Sequence, residues 1–130
     1  MYKVGIITSS DKGSQGLRED KGGPTIEAII KKFSDNFEVA KYVILPDEQD
    51  QLAAEMIQMA DNDGIDLIVT TGGTGFSKRD VTPEATLSVI TRRTPGIPEA
   101  MRNISFQITM RAMLSRAEAG IRNDTLIVNL

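Results

Sequence analysis

The residue types best suited to chemistry stand directly after the apolar run 67–71, where the chain reads Gly72-Gly73-Thr74-Gly75. Glycines after a buried strand let the backbone turn sharply, so that several N–H groups can point at one anion. This pattern suits a phosphate, although a tight strand-to-helix turn explains it equally well. The turn lacks the ending of a Walker A loop and does not complete the dinucleotide-binding fingerprint.

Charged side chains follow the glycine turn at once, in the order Lys78-Arg79-Asp80. The two cations can hold phosphate oxygens, and Asp80 can bind Mg²⁺, which takes one or two protein carboxylates together with substrate phosphates. Asp47, which follows Pro46 at the end of another strand-like run, is a second candidate. Each aspartate also has a structural explanation, because Asp80 is suited to cap the next helix and Asp47 to cap a turn.

Composition narrows the chemistry further. The 130 residues include no Cys and no His, which excludes a thiol nucleophile, a Ser-His-Asp triad and thiolate or imidazole metal ligands. The formal charge of −3 argues against a protein that coats nucleic acid. No apolar run approaches the ~20 residues that a membrane-spanning helix needs. We therefore expect one cytoplasmic domain that uses carboxylates, basic side chains and backbone amides.

Hydrophobic periodicity predicts alternating strands and helices. The predicted strands are 4–8, 37–45, 67–71 and 125–130, with 37–45 at a sheet edge. The predicted helices begin at Pro24 and cover 49–61, 83–90 and 97–114. Segment 12–23 is expected to be a loop, Thr82 a helix cap, and Arg92-Arg93 part of a rigid turn. The predicted buried positions in the helices are Ile26, Ile29, Ile30, Phe33, Leu52, Met56, Ile57 and Ala60, and Met101, Ile104, Ile108 and Met113 are assigned to the core or a subunit interface.

This alternation favours a mostly parallel sheet with helices on both faces. Ligands of such sheets bind outside the carboxyl ends of the strands. The segments 9–11, 46–48 and 72–80 should therefore converge on one edge, bringing Ser10 and Asp11 near Asp47 and the glycine turn. The chain stops on a strand, so the single domain 1–130, with both faces of its sheet covered, would lack one helix or the covering element of a partner chain.

Several motifs together resemble the molybdopterin adenylyltransferases, the MogA/MoaB-like family of molybdenum-cofactor biosynthesis. The motifs that carry the resemblance are Ser10-Asp11, Asp20-Lys21-Gly22-Gly23-Pro24, Leu45-Pro46-Asp47, Gly72-Gly73-Thr74-Gly75, Arg79-Asp80-Val81-Thr82-Pro83-Glu84-Ala85-Thr86, Pro95-Gly96, Met101-Arg102, Leu114-Ser115-Arg116 and Thr125-Leu126-Ile127-Val128-Asn129-Leu130. Each is weak alone, but their order and spacing are specific. One departure is Gly22, where the family usually has Ser. A second is the end of the sequence, because the family usually continues past Leu130, so the resemblance implies that the domain 1–130 lacks its C-terminal loop and helix.

The resemblance implies a three-layer α/β/α domain, commonly a homotrimer, which uses Mg²⁺ and ATP to adenylylate the terminal phosphate of molybdopterin and release pyrophosphate. It also implies that Asp47 and Asp80 are the catalytic and metal-organising pair. Gly72, Gly73, Thr74 and Gly75 would bind the substrate phosphates, and Ser10 and Asp11 would line the same pocket. The molybdate-insertion enzyme would be a partner.

Two other functions stay open at this point. The first is a non-catalytic molybdopterin-binding or scaffold module of the same fold. The second is the later step of molybdate insertion, for which a related domain is used. Dependence of the reaction on ATP or on molybdate separates the two enzyme hypotheses, and loss of a catalytic aspartate separates an enzyme from a binder.

Overall fold

A six-stranded sheet forms the centre of the computed structural model, which describes residues 1–130. Its strands are β1 (Tyr2–Ser9), β2 (Phe37–Leu45), β3 (Leu67–Thr71), β4 (Arg92–Arg93), β5 (Ala119–Arg122) and β6 (Thr125–Asn129). They lie in the order β2-β1-β3-β6-β5-β4. The first four of these are parallel, whereas β5 pairs antiparallel with β6 and with β4. The prediction of a mostly parallel sheet is confirmed.

Helices cover both faces of this sheet. They are α1 (Asp11–Ser14), α2 (Gly22–Lys31), α3 (Gln49–Asp61), α4 (Thr82–Val89) and α5 (Gly96–Phe106), followed by a 3₁₀ helix, Met110–Leu114. On one face α2 packs through Ile26 against Val4, Ile6 and Val69. On the other face α3 and α4 pack against Ile7, Ile68 and Ile127. The architecture is therefore three-layer α/β/α, as predicted. None of the helices is long and apolar enough to cross a bilayer.

The strands are parallel and central because their sequences are apolar at consecutive positions, as strands covered on both faces require. In β1, Val4, Ile6 and Ile7 are all fully buried. The order of the sheet reverses at β1, since the chain passes from β1 to β2 on one side and returns to β3 on the other. The carboxyl ends of β1 and β3 thus flank the crevice in which α/β sheets bind ligands.

Several predicted boundaries were wrong. The segment 12–23 is not all loop, because α1 ends at Ser14 and α2 begins at Gly22, ahead of Pro24. The helix predicted for 97–114 ends at Phe106, and a separate 3₁₀ helix follows. The rigid turn predicted at Arg92-Arg93 is the edge strand β4, and β5 was not predicted at all. Both strands are short and have little apolar alternation of their own: β5 forms a hairpin with β6, and β4 pairs antiparallel with β5 from a distant part of the chain.

The predicted helix faces were also partly wrong. Ile29 and Phe33 are 48% and 56% exposed, whereas Met59, which was not assigned to the core, is fully buried. Thr82, predicted as a cap, is the first residue of α4, and Val81 occupies the N-cap position without a side-chain hydrogen bond. Ile104, Ile108 and Met113, assigned to the core or a subunit interface, have large exposed fractions and so do not belong to the core of this chain. The interface alternative for them stays a prediction.

The burial pattern predicts a large difference between two matched substitutions. Leu52→Ala should lower the free energy of unfolding by about 2–5 kcal/mol, because a fully buried Leu leaves a cavity on the α3 face. Ile29→Ala should cost less than about 1 kcal/mol, since this side chain is half exposed on α2. Urea unfolding followed by circular dichroism measures both. Equal costs would contradict the described packing of α2 and α3.

Candidate functional site

A polar cleft of about 500 Å³ opens at the carboxyl ends of β1 and β3. It is lined by no hydrophobic residue. The lining residues are Thr8, Ser9, Ser10, Gly13, Arg18, Glu19, Asp20, Lys21, Gly22, Thr71 and Gly72. A cavity of this size accommodates part of a nucleotide or cofactor, and its polar walls suit a charged ligand rather than an apolar one.

The glycine turn begins at the cleft, which Gly72 lines, and requires glycine for its shape. Gly72 and Gly73 have φ angles of +89° and +73°, which side chains rarely allow. A Cβ atom on Gly72 would lie 2.4 Å from the carbonyl oxygen of Ser9. The turn is fixed to α4 by Thr82, whose N–H donates to the Gly73 oxygen at 3.1 Å and whose Oγ1 donates to the Gly72 oxygen at 3.0 Å.

The carbonyl groups of this turn are engaged, but its amides are free. None of the backbone N–H groups of residues 72–76 donates to an acceptor within the protein, whereas the next one, of Ser77, donates to Asp80. Consecutive unpaired N–H groups in a turn with left-handed residues form an anion-binding concavity. The geometry is therefore that of a phosphate cradle, which the sequence pattern alone could not distinguish from a plain turn.

Asp47 reaches the same edge from the end of β2. Its Oδ1 accepts a hydrogen bond of 2.5 Å from the hydroxyl of Ser9, and its Oδ2 accepts one of 3.1 Å from the N–H of Asp11. The Ser9 hydroxyl also lies beside the glycine turn, because a Cβ on Gly73 would be 3.1 Å from its oxygen. Asp47 is thus held against the end of β1, next to the predicted phosphate site.

Asp80 lies against the other end of the glycine turn. A Cβ on Gly75 would be 2.8 Å from Asp80 Oδ2, and this oxygen accepts a hydrogen bond of 3.0 Å from the N–H of Ser77. The other carboxylate oxygen accepts no hydrogen bond. The alternative role as a helix cap is not what the structure shows, since Asp80 closes a turn with Ser77 and precedes the N-cap residue Val81. The turn therefore contacts Asp80 directly and Asp47 through Ser9.

Asp11 connects the loops rather than facing the cleft with a free carboxylate. Arg79 donates two hydrogen bonds to it, of 3.0 and 2.9 Å, and the N–H of Asp47 donates a third of 2.9 Å. These bonds to Arg79 and to the Asp47 amide lower the pKa of Asp11 below its ordinary 3.8. Arg79 also pairs with Glu48 at 2.9 Å. Asp11 and Arg79 thereby join the loops that follow β1, β2 and β3.

Ser10 has a local partner too. Its hydroxyl accepts a hydrogen bond of 2.9 Å from the N–H of Gly13 and so caps α1, while the residue still lines the cleft. Thr74 points its carbonyl to the N–H of Arg116 at 2.8 Å. The structure thus brings the predicted residues Ser10, Asp11 and Asp47 to the same edge as the glycine turn and Asp80.

Sequence reasoning missed two sets of residues at this edge. One is Ser9, which positions Asp47. The other is a cluster around Asp20, which accepts hydrogen bonds from Tyr42, from Thr8 at 2.8 Å and from the N–H of Gly22 at 3.1 Å. The bond from Gly22 is local and falls within the family motif Asp20-Lys21-Gly22-Gly23-Pro24. No local pattern signals the other bonds, because their partners lie between 12 and 38 positions apart. The Thr71 side chain packs against the backbone of Gly22, where a Cβ atom would lie 2.8 Å from Thr71 Oγ1.

The Asp20 cluster predicts a pH dependence of stability. Burial raises the pKa of Asp20, but hydrogen bonds from Tyr42, Thr8 and the Gly23 and Gly22 amides outweigh burial and hold it below the ordinary 3.8. Burial and the bond to Asp20 raise the pKa of Tyr42 to about 12. A carboxyl group whose pKa is lower in the folded than in the unfolded state stabilises the fold above pH ~4. This contribution to the free energy of unfolding is lost as the pH falls through the folded-state pKa. Unfolding followed between pH 5 and 2.5, roughly the range of carboxyl titration, should show this loss, and Asp20→Asn should reduce its slope.

The site offers few carboxylates to a Mg²⁺ ion. No group of three or more acidic side chains comes together as a metal cage. Mg²⁺ does not need one, because it commonly keeps several waters and binds one or two carboxylates plus substrate phosphates. Asp80 retains a carboxylate oxygen without a hydrogen-bond partner beside the free amides, and Asp47 is partly buried nearby. This donor set fits a metal that arrives with a phosphate ligand.

Comparison with known proteins shows which family the chain belongs to. The family model described as "Probable molybdopterin binding domain" matches residues 5–130. The chain is 42% identical to a molybdopterin adenylyltransferase of Helicobacter pylori over 98% of its own length and 72% of that protein. The chain belongs to the MogA/MoaB-like molybdopterin adenylyltransferase family.

Solved structures of this family have the same fold. The molybdopterin biosynthesis enzyme MoaB of Thermus thermophilus superposes with a TM-score of 0.92 at 45% identity, covering all of this chain and 80% of that one. The family also extends into larger proteins. Gephyrin of Dictyostelium discoideum is 46% identical over 98% of this chain, which corresponds to 19% of gephyrin. The same domain therefore occurs both as most of an enzyme and as a small part of a longer protein.

Proposed function

We propose that this chain transfers the adenylyl group of ATP to the terminal phosphate of molybdopterin and releases pyrophosphate, in a reaction that depends on Mg²⁺. The observation that carries the proposal is the run of unpaired amides at residues 72–76 between Asp47 and Asp80. The names of the relatives support the reaction, since the chain is 42% identical to a molybdopterin adenylyltransferase.

The reaction suits a site without histidine. A phosphate monoester has a second pKa near ~6 and is largely an ionised nucleophile at neutral pH, so it needs no general base. Catalysis then depends on holding the nucleophile in line with the α-phosphorus and on stabilising charge on the phosphate oxygens. The amides of residues 72–76 would hold phosphate oxygens, with Arg18 and Lys21, which line the adjoining cleft, supplying positive charge. Ser9 would keep the Asp47 carboxylate in place.

Asp47 and Asp80 would hold the Mg²⁺ ion. When bound there, the ion supplies neutralisation of the negative charge on the triphosphate of ATP. Removing free Mg²⁺ with a chelator should therefore abolish product formation, while the fold, which holds together without a metal cage, should keep its circular dichroism spectrum.

Pyrophosphate release tests the proposal. The protein is mixed with ATP, Mg²⁺ and molybdopterin, and pyrophosphate and adenylylated product are quantified together. We expect both to form in equal amounts and neither to form without molybdopterin. No pyrophosphate above the background hydrolysis of ATP would reject the adenylyltransferase function.

A second function rests on the gephyrin match. Because the same domain makes up 19% of a longer protein of another name, a chain of this fold can serve as a module within a larger assembly. The alternative is therefore a molybdopterin-binding or scaffold domain without catalysis. Binding of molybdopterin with no pyrophosphate release, under conditions in which a relative is active, would favour it.

We further propose a cytoplasmic homotrimer that delivers its product to the molybdate-insertion enzyme. The support for oligomerisation is an exposed apolar surface formed by α5 and the 3₁₀ helix, with Ile104, Phe106, Ile108, Met110, Met113 and Leu114. Surfaces of this kind commonly mark protein interfaces. Analytical ultracentrifugation should give three times the mass of the chain, and Ile108→Asp should produce monomers. A monomeric parent protein would reject the trimer.

A further inference from the structure

Arg116 hydrogen-bonds to both ends of the loop 74–80, which connects the glycine turn to Asp80. Its Nε donates to the carbonyl oxygen of Gly75 at 2.7 Å, and its NH2 group donates to the carbonyl oxygen of Asp80 at 2.7 Å. Its backbone N–H donates to the carbonyl oxygen of Thr74 at 2.8 Å. No other side chain in the protein hydrogen-bonds to the carbonyl oxygen of Gly75 or Asp80.

Glu84 holds the Arg116 guanidinium in this orientation. It accepts two hydrogen bonds from Arg116, of 2.7 and 3.2 Å, and stands in the first turn of α4, the helix that follows Asp80. This bidentate pairing is geometrically favourable, because the planar guanidinium group presents two N–H donors that match the two oxygens of a carboxylate. The pair lowers the pKa of Glu84 and raises that of Arg116, so both groups are charged at neutral pH.

The rest of the loop has one other side-chain anchor, Arg79, which pairs with Asp11 and Glu48. Residues 76–79 are exposed, and the amides of residues 72–76 have no partner in the protein. The position of the Asp80 carboxylate therefore depends on its turn with Ser77, on the ion pairs of Arg79 just before it, and on the backbone anchors that Arg116 provides. A displacement of ~1 Å of a group that acts on a reacting phosphate can cost on the order of 100-fold in rate.

We propose that Arg116 is a positioning residue for the adenylyl transfer, which fixes the backbone of the 74–80 loop so that the amide cradle and Asp80 face the same phosphate. The proposal rests on the proposed function, because it acts through Asp80. Arg116 itself is not among the residues that line the polar cleft, so in this proposal it acts through the loop that it anchors.

Arg122, six residues after Arg116, provides a matched control. Arg122 makes the same kind of contacts, a bidentate pair with Asp61 at 3.1 and 2.8 Å and one bond of 2.9 Å to the carbonyl oxygen of Val89. Arg116 and Arg122 have side chains that are 35% and 23% exposed, so a general effect of losing a partly buried arginine should be similar in both.

The first test compares Arg116→Lys with Arg122→Lys in steady-state kinetics. Lysine keeps the charge but cannot reach Gly75, Asp80 and Glu84 together. We expect Arg116→Lys to lower kcat about 10- to 100-fold with less than about a threefold change in KM for either substrate. Arg122→Lys should leave both constants near those of the parent. Equal kinetic effects of the two variants would overturn the proposal.

A double-mutant cycle adds a readout that a general loss of stability does not move. In an Asp80→Asn background, Arg116→Lys should lower the remaining rate at least about threefold less than it does in the parent, because one of the two features it positions, the Asp80 carboxylate, is already gone. A full additional effect would show that Arg116 acts independently of Asp80. If Arg116→Lys does not fold, Glu84→Gln serves in the same cycle, with an expected loss of several-fold in kcat in the parent, and no loss there would overturn the proposal.

Amide hydrogen exchange separates this inference from the proposed function. The N–H groups of Ser77, Asp80 and Thr82 are hydrogen-bonded within the loop or to it. In the protein without ligands, Arg116→Lys should speed their exchange at least about tenfold, as local opening becomes easier, and Arg122→Lys should not. If the parent protein lacks adenylyl transfer but Arg116→Lys speeds amide exchange in this way, Arg116 does anchor the loop and only the proposed function is rejected. Unchanged exchange in an active enzyme would reject the anchor alone.

Discussion

Asp80→Asn is expected to lower kcat for adenylyl transfer by at least about 100-fold, the size of effect that loss of one preorganised electrostatic contact produces. The substitution removes the negative charge beside the free amides while keeping the shape of the side chain. The local fold should survive, because an amide oxygen can accept the bond that Asp80 accepts from Ser77. Molybdopterin affinity should change far less than kcat.

The control for this prediction is Asp35→Asn. Asp35 is exposed in the turn before β2 and makes no side-chain hydrogen bond, so its loss changes the net charge by the same amount without touching the site. Pyrophosphate release under saturating substrates measures both variants, and isothermal titration with molybdopterin measures binding. An Asp80→Asn variant with kcat within threefold of the parent, roughly 0.6 kcal/mol, would remove Asp80 from the catalytic role.

Gly72→Ala is expected to destabilise the protein by about 2–5 kcal/mol and to abolish its activity. A side chain in left-handed backbone costs ~1–2 kcal/mol, and a steric overlap in a packed position adds ~1–3 kcal/mol. Both apply here, because Gly72 has a φ of +89° and its Cβ would lie 2.4 Å from the backbone oxygen of Ser9. The clash pushes the glycine turn away from the end of β1, where Asp47 is held.

Gly64→Ala is the matched control for that change. Gly64 has a φ of +67° but no atom within 4 Å of an added Cβ, so only the backbone cost of ~1–2 kcal/mol applies. Thermal and urea unfolding measure the stability of both variants, and activity is compared at a temperature where each is folded. Similar stabilities, or an active Gly72→Ala protein, would show that the close contact between the glycine turn and β1 is absent in solution.

The fold could be predicted where the sequence pattern is local and continuous. The run 67–71 is apolar and β-branched, and such a run forms a buried strand wherever helices cover both faces. The placement of Asp47 near the glycine turn also followed from sequence, because carboxyl ends of parallel strands meet at one edge. The alternation of apolar and polar residues in Phe37–Leu45 predicts an edge strand, and this is confirmed, since β2 pairs only with β1.

What could not be predicted depends on contacts between distant residues. Ile29 and Phe33 have the helical spacing of a buried face, yet α2 uses only a narrow stripe around Ile26 against β1 and β3. The strand β5 is specified by pairing with β6 rather than by its own sequence. In the site, the bonds from Ser9 to Asp47 and from Arg116 to Gly75 span 38 and 41 positions, and no short motif encodes them.

The free amides of the glycine turn can be observed directly by titrating ¹⁵N-labelled protein with ATP and Mg²⁺ in two-dimensional NMR. If the turn receives the phosphates, the amide signals of residues 72–76 shift most. The signal of Gly96 at the start of α5, whose N–H also has no acceptor in the protein, stays in place. Shifts at α5 or elsewhere, with the signals of residues 72–76 unchanged, would contradict the account of this edge as a phosphate-binding site.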